Sequence, residues 1–483
     1  MSYSRIALGA LVALGAIYFS FRPCSEAANP GKVVKTAPID ANQTSAPGTG
    51  SPNGVASSVV CGAKAPTAAK LLPFVEQALD WLAGAQQKDG GWGAGSNARQ
   101  DIRDAHAVPT DPATTAVAAI AVLRAGNSLE HGAYAEALRR ATEYLLRTVE
   151  AAKDEGPQIT DQTGTQPQAK MGQNVDTALT AQYLARLSQD LAADAEIRSR
   201  VVKALDKCLR KIESSQSKDG SWAAGGWAPV LQSAQMSTAL EFAENAGRTI
   251  DQGKLTQARA YQRSQVAPAA APVVPGSGGA GVSADPAAKP APSVVDLSGF
   301  GQGTGDLSFD VRRDAAAGVE LYASAANMRG VAAEAKAAEE LVNAAKEKGE
   351  LPKDAKVEAK TLQQIGVAPA TSEALGQSFA MNTAAKVRAF DANVLDGFGN
   401  NGGEEFLSYQ MKSESLVIDG GEEWNTWSAK MNERLAKVQN QDGSWSGHHC
   451  ITSPAFCTAT AISCLTADRD VEWLRKAGKL AGK

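Results

Sequence analysis

The residue types best suited to chemistry gather in the last quarter of the chain. His448-His449-Cys450 is followed by Cys457 and Cys464. Two adjacent imidazoles beside a thiol offer the nitrogen and sulfur ligands that zinc takes, and Asp442 or Glu422 would complete such a set. The spacing is not a Cys-x-x-Cys pair, and no second cluster accompanies it. The same residues therefore also read as a disulfide between Cys450 and Cys457, or as unpaired buried thiols. Cys457 and Cys464, on one helical face, stand about 10 Å apart at 1.5 Å per residue, which is too far to bridge. Cys61 and Cys208 are open to pairing or to staying reduced.

Two acidic turns form the second group, Gly402-Gly403-Glu404-Glu405 and Gly420-Gly421-Glu422-Glu423. Paired carboxylates do acid–base work or hold a cation. Each pair also opens an apolar-periodic segment, where Glu complements the helix dipole, and this capping reading is the stronger of the two. Glu404, Glu405, His448 and His449 are the catalytic candidates, and His448, His449 and Cys450 the metal candidates, with zinc the sole cofactor in view. Asp101, Asp104 and His106 read as solvated loop residues.

What must position these groups is a repeat. Gln86-Gln87-Lys88-Asp89-Gly90-Gly91-Trp92 matches Gln216-Ser217-Lys218-Asp219-Gly220-Ser221-Trp222 and Gln439-Asn440-Gln441-Asp442-Gly443-Ser444-Trp445. A weaker copy is Asp396-Gly397-Phe398-Gly399. Ahead of the first copy, Leu71, Leu72, Val75, Ala78, Leu79 and Leu82 recur at spacings of three and four, the period of an amphipathic helix. Val201, Val202, Leu205, Leu209 and Ile212 precede the second, and Trp424, Trp427, Met431, Leu435 and Val438 the third. Each full copy is followed by a small-residue helix carrying Thr115-Ala116, Thr238-Ala239 or Thr458-Ala459. Asp176-Thr177-Ala178 looks like the second helix of a copy that lost its Asp-Gly-Trp.

The physical sense is a helix, a sharp turn and a second helix. Gly supplies the left-handed conformation that ends the first helix, Asp bonds its own turn, and Trp covers the junction with a large ring. Small second helices allow close approach in an inner layer. No long β-branched alternation competes, so the chain is all-α and built from helical hairpins.

This signature resembles the repeat of squalene cyclases and protein prenyltransferase β subunits. The resemblance spans most of residues 67–480 and implies an α/α toroid, two rings of helices around a central cavity. It does not carry the activity across. The Asp-x-Asp-Asp acid of squalene–hopene-type cyclases is absent, as are Asp-Asp-x-x-Asp and the Gly-Cys-Gly-Glu-Gln thioester of complement-like toroids. Cyclases also stabilise carbocations with aromatic faces; here aromatics are 6% of the chain, and Trp92, Trp222 and Trp445 are committed to the repeat turns.

Composition bounds the rest. The 483 residues carry 48 Lys+Arg against 52 Asp+Glu, which gives no basic stripe for nucleic acid. After Arg5 an apolar run extends from Ile6 to Phe21, followed by small residues near Ala27. This is a secretory-signal or N-terminal anchor pattern over residues 1–27. Cys24 follows Phe21-Arg22-Pro23, a poor lipoprotein context. Residues 28–66 are Ala-, Ser-, Thr-, Pro- and Gly-rich and read as a flexible tether, and residues 265–293 as an inserted linker. The expectation is an extracytoplasmic protein, anchored or secreted, whose 67–483 toroid binds an unknown ligand or protein partner. The alternative is a cyclase- or prenyltransferase-like enzyme acting on an isoprenoid or lipid with a non-standard acid. A deep apolar cavity would favour the enzyme, and a polar or plugged centre the binding protein.

Overall fold

The inner and outer helices are distinguishable by which faces are apolar. A computed structural model describes residues 70–192, 195–222, 225–264, 266–268, 309–311, 320–397 and 401–476. The helices are α1 (Pro73–Gly84), α2 (Pro112–Arg124), α3 (Ala135–Ala151), α4 (Gln166–Met171), α5 (Val175–Leu187) and α6 (Glu196–Ser215). They continue as α7 (Pro229–Asn245), α8 (Gln252–Ser264), α9 (Glu320–Glu347), α10 (Ala359–Gln364) and α11 (Pro369–Ala389). The last are α12 (Ala392–Leu395), α13 (Gly403–Asp419), α14 (Gly421–Lys437), α15 (Pro454–Leu465) and α16 (Val471–Lys476).

Every residue of α2 is buried, and nearly every residue of α5, α7, α13 and α15. A helix with no solvent face belongs inside. By contrast, α3 buries only the stripe Ala135, Leu138, Ala141, Thr142, Leu145, Leu146 and Val149. The inner helices pack α2 on α5, α5 on α7, α7 on α9, α9 on α13, α13 on α15, and α15 back on α2. That closes a ring of six. Each inner helix is reached from an outer one: α1, α3, α6, α8, α11 and α14. At 28 residues α9 outruns its neighbours, and its end joins α10 and α11 in a separate small core around Val342, Leu351, Leu362 and Leu375.

The signature does the same work in each full copy. The indole N–H of Trp92 donates to the Leu82 carbonyl at 2.8 Å, that of Trp222 to Ile212 at 2.8 Å and that of Trp445 to Leu435 at 2.9 Å. Each ties the indole to a carbonyl in the last turn of an outer helix, where intrahelical donors run out. The Trp backbone N–H donates to a hydroxyl on the inner helix: Thr115, Ser233 and Thr458. In the second copy the hydroxyl is Ser233, near the start of α7 and ahead of Thr238-Ala239.

The Gln of each copy links neighbouring hairpins. Gln86 Nε2 donates to Gly90 O and to Ala137 O of α3, both at 2.8 Å. Gln216 reaches Lys254 O of α8 at 2.9 Å, and Gln439 reaches Phe74 O of α1 at 2.8 Å. The last bond closes the ring from final hairpin to first, with Trp445 edge-on to Phe74 at 6.3 Å. Glycine is required twice over at these turns. Gly90 has φ +95° and a Cβ there would stand 2.4 Å from the Arg140 carbonyl; Gly220 has φ +88° and would meet Gln257 O at 2.3 Å.

Where the signature is missing, cations from the next outer helix replace it. Lys211 of α6 donates to the carbonyls of Lys153 and Gly156 at 2.6 and 3.0 Å, and Lys207 to that of Ala152. Lys430 of α14 reaches Phe390 O at 2.7 Å, and Arg434 reaches Asp396 at 2.9 Å beside Gly397, whose φ is +56°. Phe398 of the weak copy lies outside the described residues, as do residues 1–27 and 28–66. Most of 265–293 lies outside them too, but Val266–Pro268 does not follow the linker expectation. It pairs antiparallel with Phe309–Val311, since three extended residues suffice for a ladder too short to leave a periodic signal.

Candidate functional site

The N-terminal ends of the inner helices meet at one pole of the ring, and α13 brings Glu404 and Glu405 there in its first turn. Glu405 reaches back over the helix start, accepting from Gly402 N at 2.8 Å, and its other oxygen accepts from Tyr322 OH of α9 at 2.7 Å. Glu404 accepts from Ile451 N at 3.2 Å. The helix-start reading of this pair holds, but both carboxyls are 0% exposed, which spacing did not foretell. Burial first, and then the charge of Glu405, push Glu404 up to about 7. The same surroundings raise the Tyr322 phenol well above its ordinary value.

His449 Nε2 stands 3.9 Å from the Glu405 oxygen that Tyr322 also contacts. Cys450 lies beside Glu404, in a left-handed backbone conformation with φ 58°. Non-glycine residues in that region are uncommon and tend to occur at functional sites. Burial and Glu404 push the Cys450 thiol up to about 12. Trp227, 41% exposed, sets its ring edge against Tyr322 at 6.4 Å. From solvent inward the order is indole, phenol and carboxylate pair, flanked by imidazole and thiol.

Of the residues singled out by type, the fold gathers Glu404, Glu405, His449 and Cys450. His448 is not among them; its side chain is exposed and its backbone N–H donates to Asn401 O at 2.9 Å. Among the described residues no three His, Cys, Asp or Glu side chains converge as a metal would need. Of the further ligands considered for zinc, Asp442 accepts from Ser444 N within its own turn, and Glu422 is exposed on α14. The disulfide expectation is corrected. Cys450 and Cys457 are free thiols; the Cys457 thiol donates to Ile451 O at 3.6 Å and burial holds it protonated. Cys208 and Cys464 are also free. Asp206, two residues before Cys208, is held by Arg248 at 2.7 Å, and Cys208 is buried. Asp101 pairs with Arg99 at 2.9 Å in an exposed loop, and Asp104 caps His106 N at 2.9 Å.

Sequence reasoning missed a second carboxylate pair at this pole. Asp111 caps α2 through Thr114 N at 2.7 Å, and Asp176 of α5 accepts from Ala113 N at 3.0 Å and Gln168 at 2.7 Å. Burial lifts Asp111 to about 6, and burial with the charge of Asp111 lifts Asp176 to about 7. Asp111 before Pro112 was a readable helix start. Nothing in the order of residues signalled Tyr322 or Trp227.

Below the pole, side chains cross the lumen. Gln182 of α5 donates to Gln235 of α7 at 2.8 Å, and Gln235 to Met411 of α13 at 3.4 Å. Because α9 lies between α7 and α13, the second contact spans the interior. Further down, Arg124 of α2 contacts Glu414 of α13 at 2.9 Å and Asp470 at 3.2 Å. Arg186 of α5 joins Asp470 at 2.9 Å, while Arg329 of α9 joins Glu414 at 3.3 Å and Glu241 of α7 at 3.0 Å. The sixth inner helix enters through the Ser463 carbonyl, 3.1 Å from Arg124. An ion chain thus ties the whole inner ring together.

Six hairpins closed on themselves around an inner barrel define an α/α toroid. Residues 54–171 match the family described as the squalene-hopene cyclase C-terminal domain. A stretch of 77 residues is 40% identical to the squalene–hopene cyclase of Bradyrhizobium diazoefficiens, covering 16% of this chain and 11% of the cyclase. With the repeat geometry, these matches place the chain in the squalene cyclase-like α/α toroid superfamily. The match thus spans about a tenth of the curated relative's length. Two solved structures of the α-1,6-mannanase GH76A of Salegentibacter sp. HEL1_6 also resemble it. One, an inactive variant in complex with α-1,6-mannotriose, has TM-score 0.46 at 9% identity. The other has TM-score 0.45 at 10% identity. Each alignment covers 82% of this chain and 98% of the mannanase chain. No helix among the described residues is long and apolar enough to cross a membrane.

Proposed function

We propose that this is an exported, membrane-tethered toroid that binds a ligand or partner on its N-terminal pole and not in its lumen. One observation carries the reading: the interior is crossed by the Gln182–Gln235–Met411 contacts and by the Arg124–Glu414–Arg329–Glu241 ion chain. A long apolar isoprenoid entering there would strip buried charges of their partners, which costs several kcal/mol per ion. At the pole the exposed Trp227 indole sets its edge against the buried Tyr322, which donates to the buried Glu405. Export and tethering rest on Ile6–Phe21 and on the polar stretch after it.

A second reading is supported by Glu404, whose carboxyl near pH 7 is half protonated and so suited to general acid work. Incubating the full chain, extracted in mild detergent, with squalene distinguishes the two. The binding reading expects no cyclised product. Product that disappears in Glu404→Gln would establish the enzyme instead. A C-terminal reporter active only outside the cytoplasm tests export, and a silent reporter would remove that part of the reading.

A further inference from the structure

A groove of about 360 Å³ opens where the first hairpin meets the last. It is lined by Trp81 and Gly84 of α1, by Arg103, Asp104 and His106 of the following loop, and by Asp442 of the third signature turn. Its walls are pinned. His106 Nε2 lies 3.2 Å from Gly84 O, and Arg103 Nη1 donates to Gln100 O at 3.1 Å and to Thr452 O at 2.9 Å. Asp104 Oδ1 accepts from His106 N at 2.9 Å. Asp442 Oδ1 accepts from Ser444 N at 3.0 Å and from its hydroxyl at 2.7 Å. Each aspartate thus spends one oxygen on its own turn, and among the described residues neither is in an ion pair. Three sources of negative potential converge on the groove. Two are the exposed carboxylates of Asp104 and Asp442. The third is the C-terminus of α1, whose last turn carries no basic residue to offset the helix dipole. Arg103 lines the same space but is already shared between two carbonyls. Trp81, half-buried on the hydrophobic core, adds an indole to the wall.

We propose that this groove is a receptor for a small organic cation, an alkylammonium of the kind that choline carries. Indole rings attract such cations. Their weak hydration lets carboxylates and a helix end hold them without rebuilding a tight shell of oxygen ligands. A divalent metal does need such a shell, and among the described residues no three His, Cys, Asp or Glu are grouped to supply it. The volume falls at the small end of ligand clefts, which run from about 300 to 1,000 Å³; it suits a headgroup-sized ligand and not an isoprenoid. The groove shares no residue with Glu404, Glu405, Tyr322 or His449, so the proposal goes beyond the reading given above and stands apart from it.

The test titrates choline chloride into the full chain in a non-ionic detergent by isothermal calorimetry, beside its uncharged isostere 3,3-dimethylbutan-1-ol. Saturable binding is expected for choline and not for the isostere, a comparison that needs no variant to fold. Asp104→Asn and Asp442→Asn keep the Oδ1 acceptor and lose the charge; each should weaken choline binding about two- to fivefold. Trp81→Leu should weaken it by about as much. Glycerophosphocholine separates the two sources of the cation. Competition with choline assigns a lipid headgroup, and exclusion assigns a free amine. No saturable choline binding, equal affinity for the isostere, or binding unchanged in all three variants would overturn the proposal.

Discussion

Replacing Glu404 by Gln probes the pole through its proton. Burial and Glu405 hold Glu404 at about 7, against an ordinary value of 4.5. Between those two pH values the folded chain keeps a proton that the unfolded chain has released. The stability contributed by this group is therefore complete below about pH 4.5 and lost as pH rises through about 7. Each tenfold change in proton affinity is worth about 1.4 kcal/mol, so the step amounts to about 3 kcal/mol as an upper value. Gln is isosteric and can still accept from Ile451 N, yet it never carries the buried charge. Urea unfolding of the full chain at pH 5 and at pH 8 reads the difference. At pH 5 the two proteins should be nearly equal; at pH 8 the variant should be the more stable by about 2–3 kcal/mol. The variant keeps some slope of the same sign, because Asp176 and Asp111 are also raised. A wild-type-minus-variant difference that is the same at both pH values would refute the buried-proton account.

Three further outcomes are expected. Gly220→Ala, which puts a Cβ 2.3 Å from the Gln257 carbonyl at φ +88°, should lower stability by on the order of 2–4 kcal/mol in a thermal melt. Gln439→Ala removes the bond to Phe74 O and a second to Gly443 O; it should cost about 1–2 kcal/mol and speed amide exchange in α1 before other helices. Arg329→Met leaves Glu241 and Glu414 each short of a partner. It should destabilise by about 3–5 kcal/mol, with Glu414→Gln in the same chain recovering part of the loss.

The ring was largely legible in the order of residues because a hairpin is a local object. Gln86, Asp89, Gly90 and Trp92 act within one turn and its neighbours, so their spacing carries the geometry, and three copies announce it three times. The same holds for the first turn of α13, where Glu405 accepts from the backbone of Gly402 three residues before it. Even the hairpin after α3, which lacks the motif, was readable through Asp176-Thr177-Ala178.

The rest depended on contacts between residues far apart in the chain. Tyr322 meets Glu405 from another inner helix, Trp227 arrives on a loop between α6 and α7, and Arg124 finds Glu414 across the lumen. None of these pairings has a period or a spacing to read. The pairing of Cys450 with Cys457 and the gathering of His448 with His449 were not readable for the same reason: adjacency in sequence says nothing of direction, and the backbone turns His448 out while His449 faces Glu405. Thus residue order alone determined an all-α ring of hairpins that lacks the Asp-x-Asp-Asp string. Whether its centre is open or filled, and which carboxyls are buried enough to keep a proton, was decided only by tertiary packing, because burial and charge pairing are properties of neighbours in space.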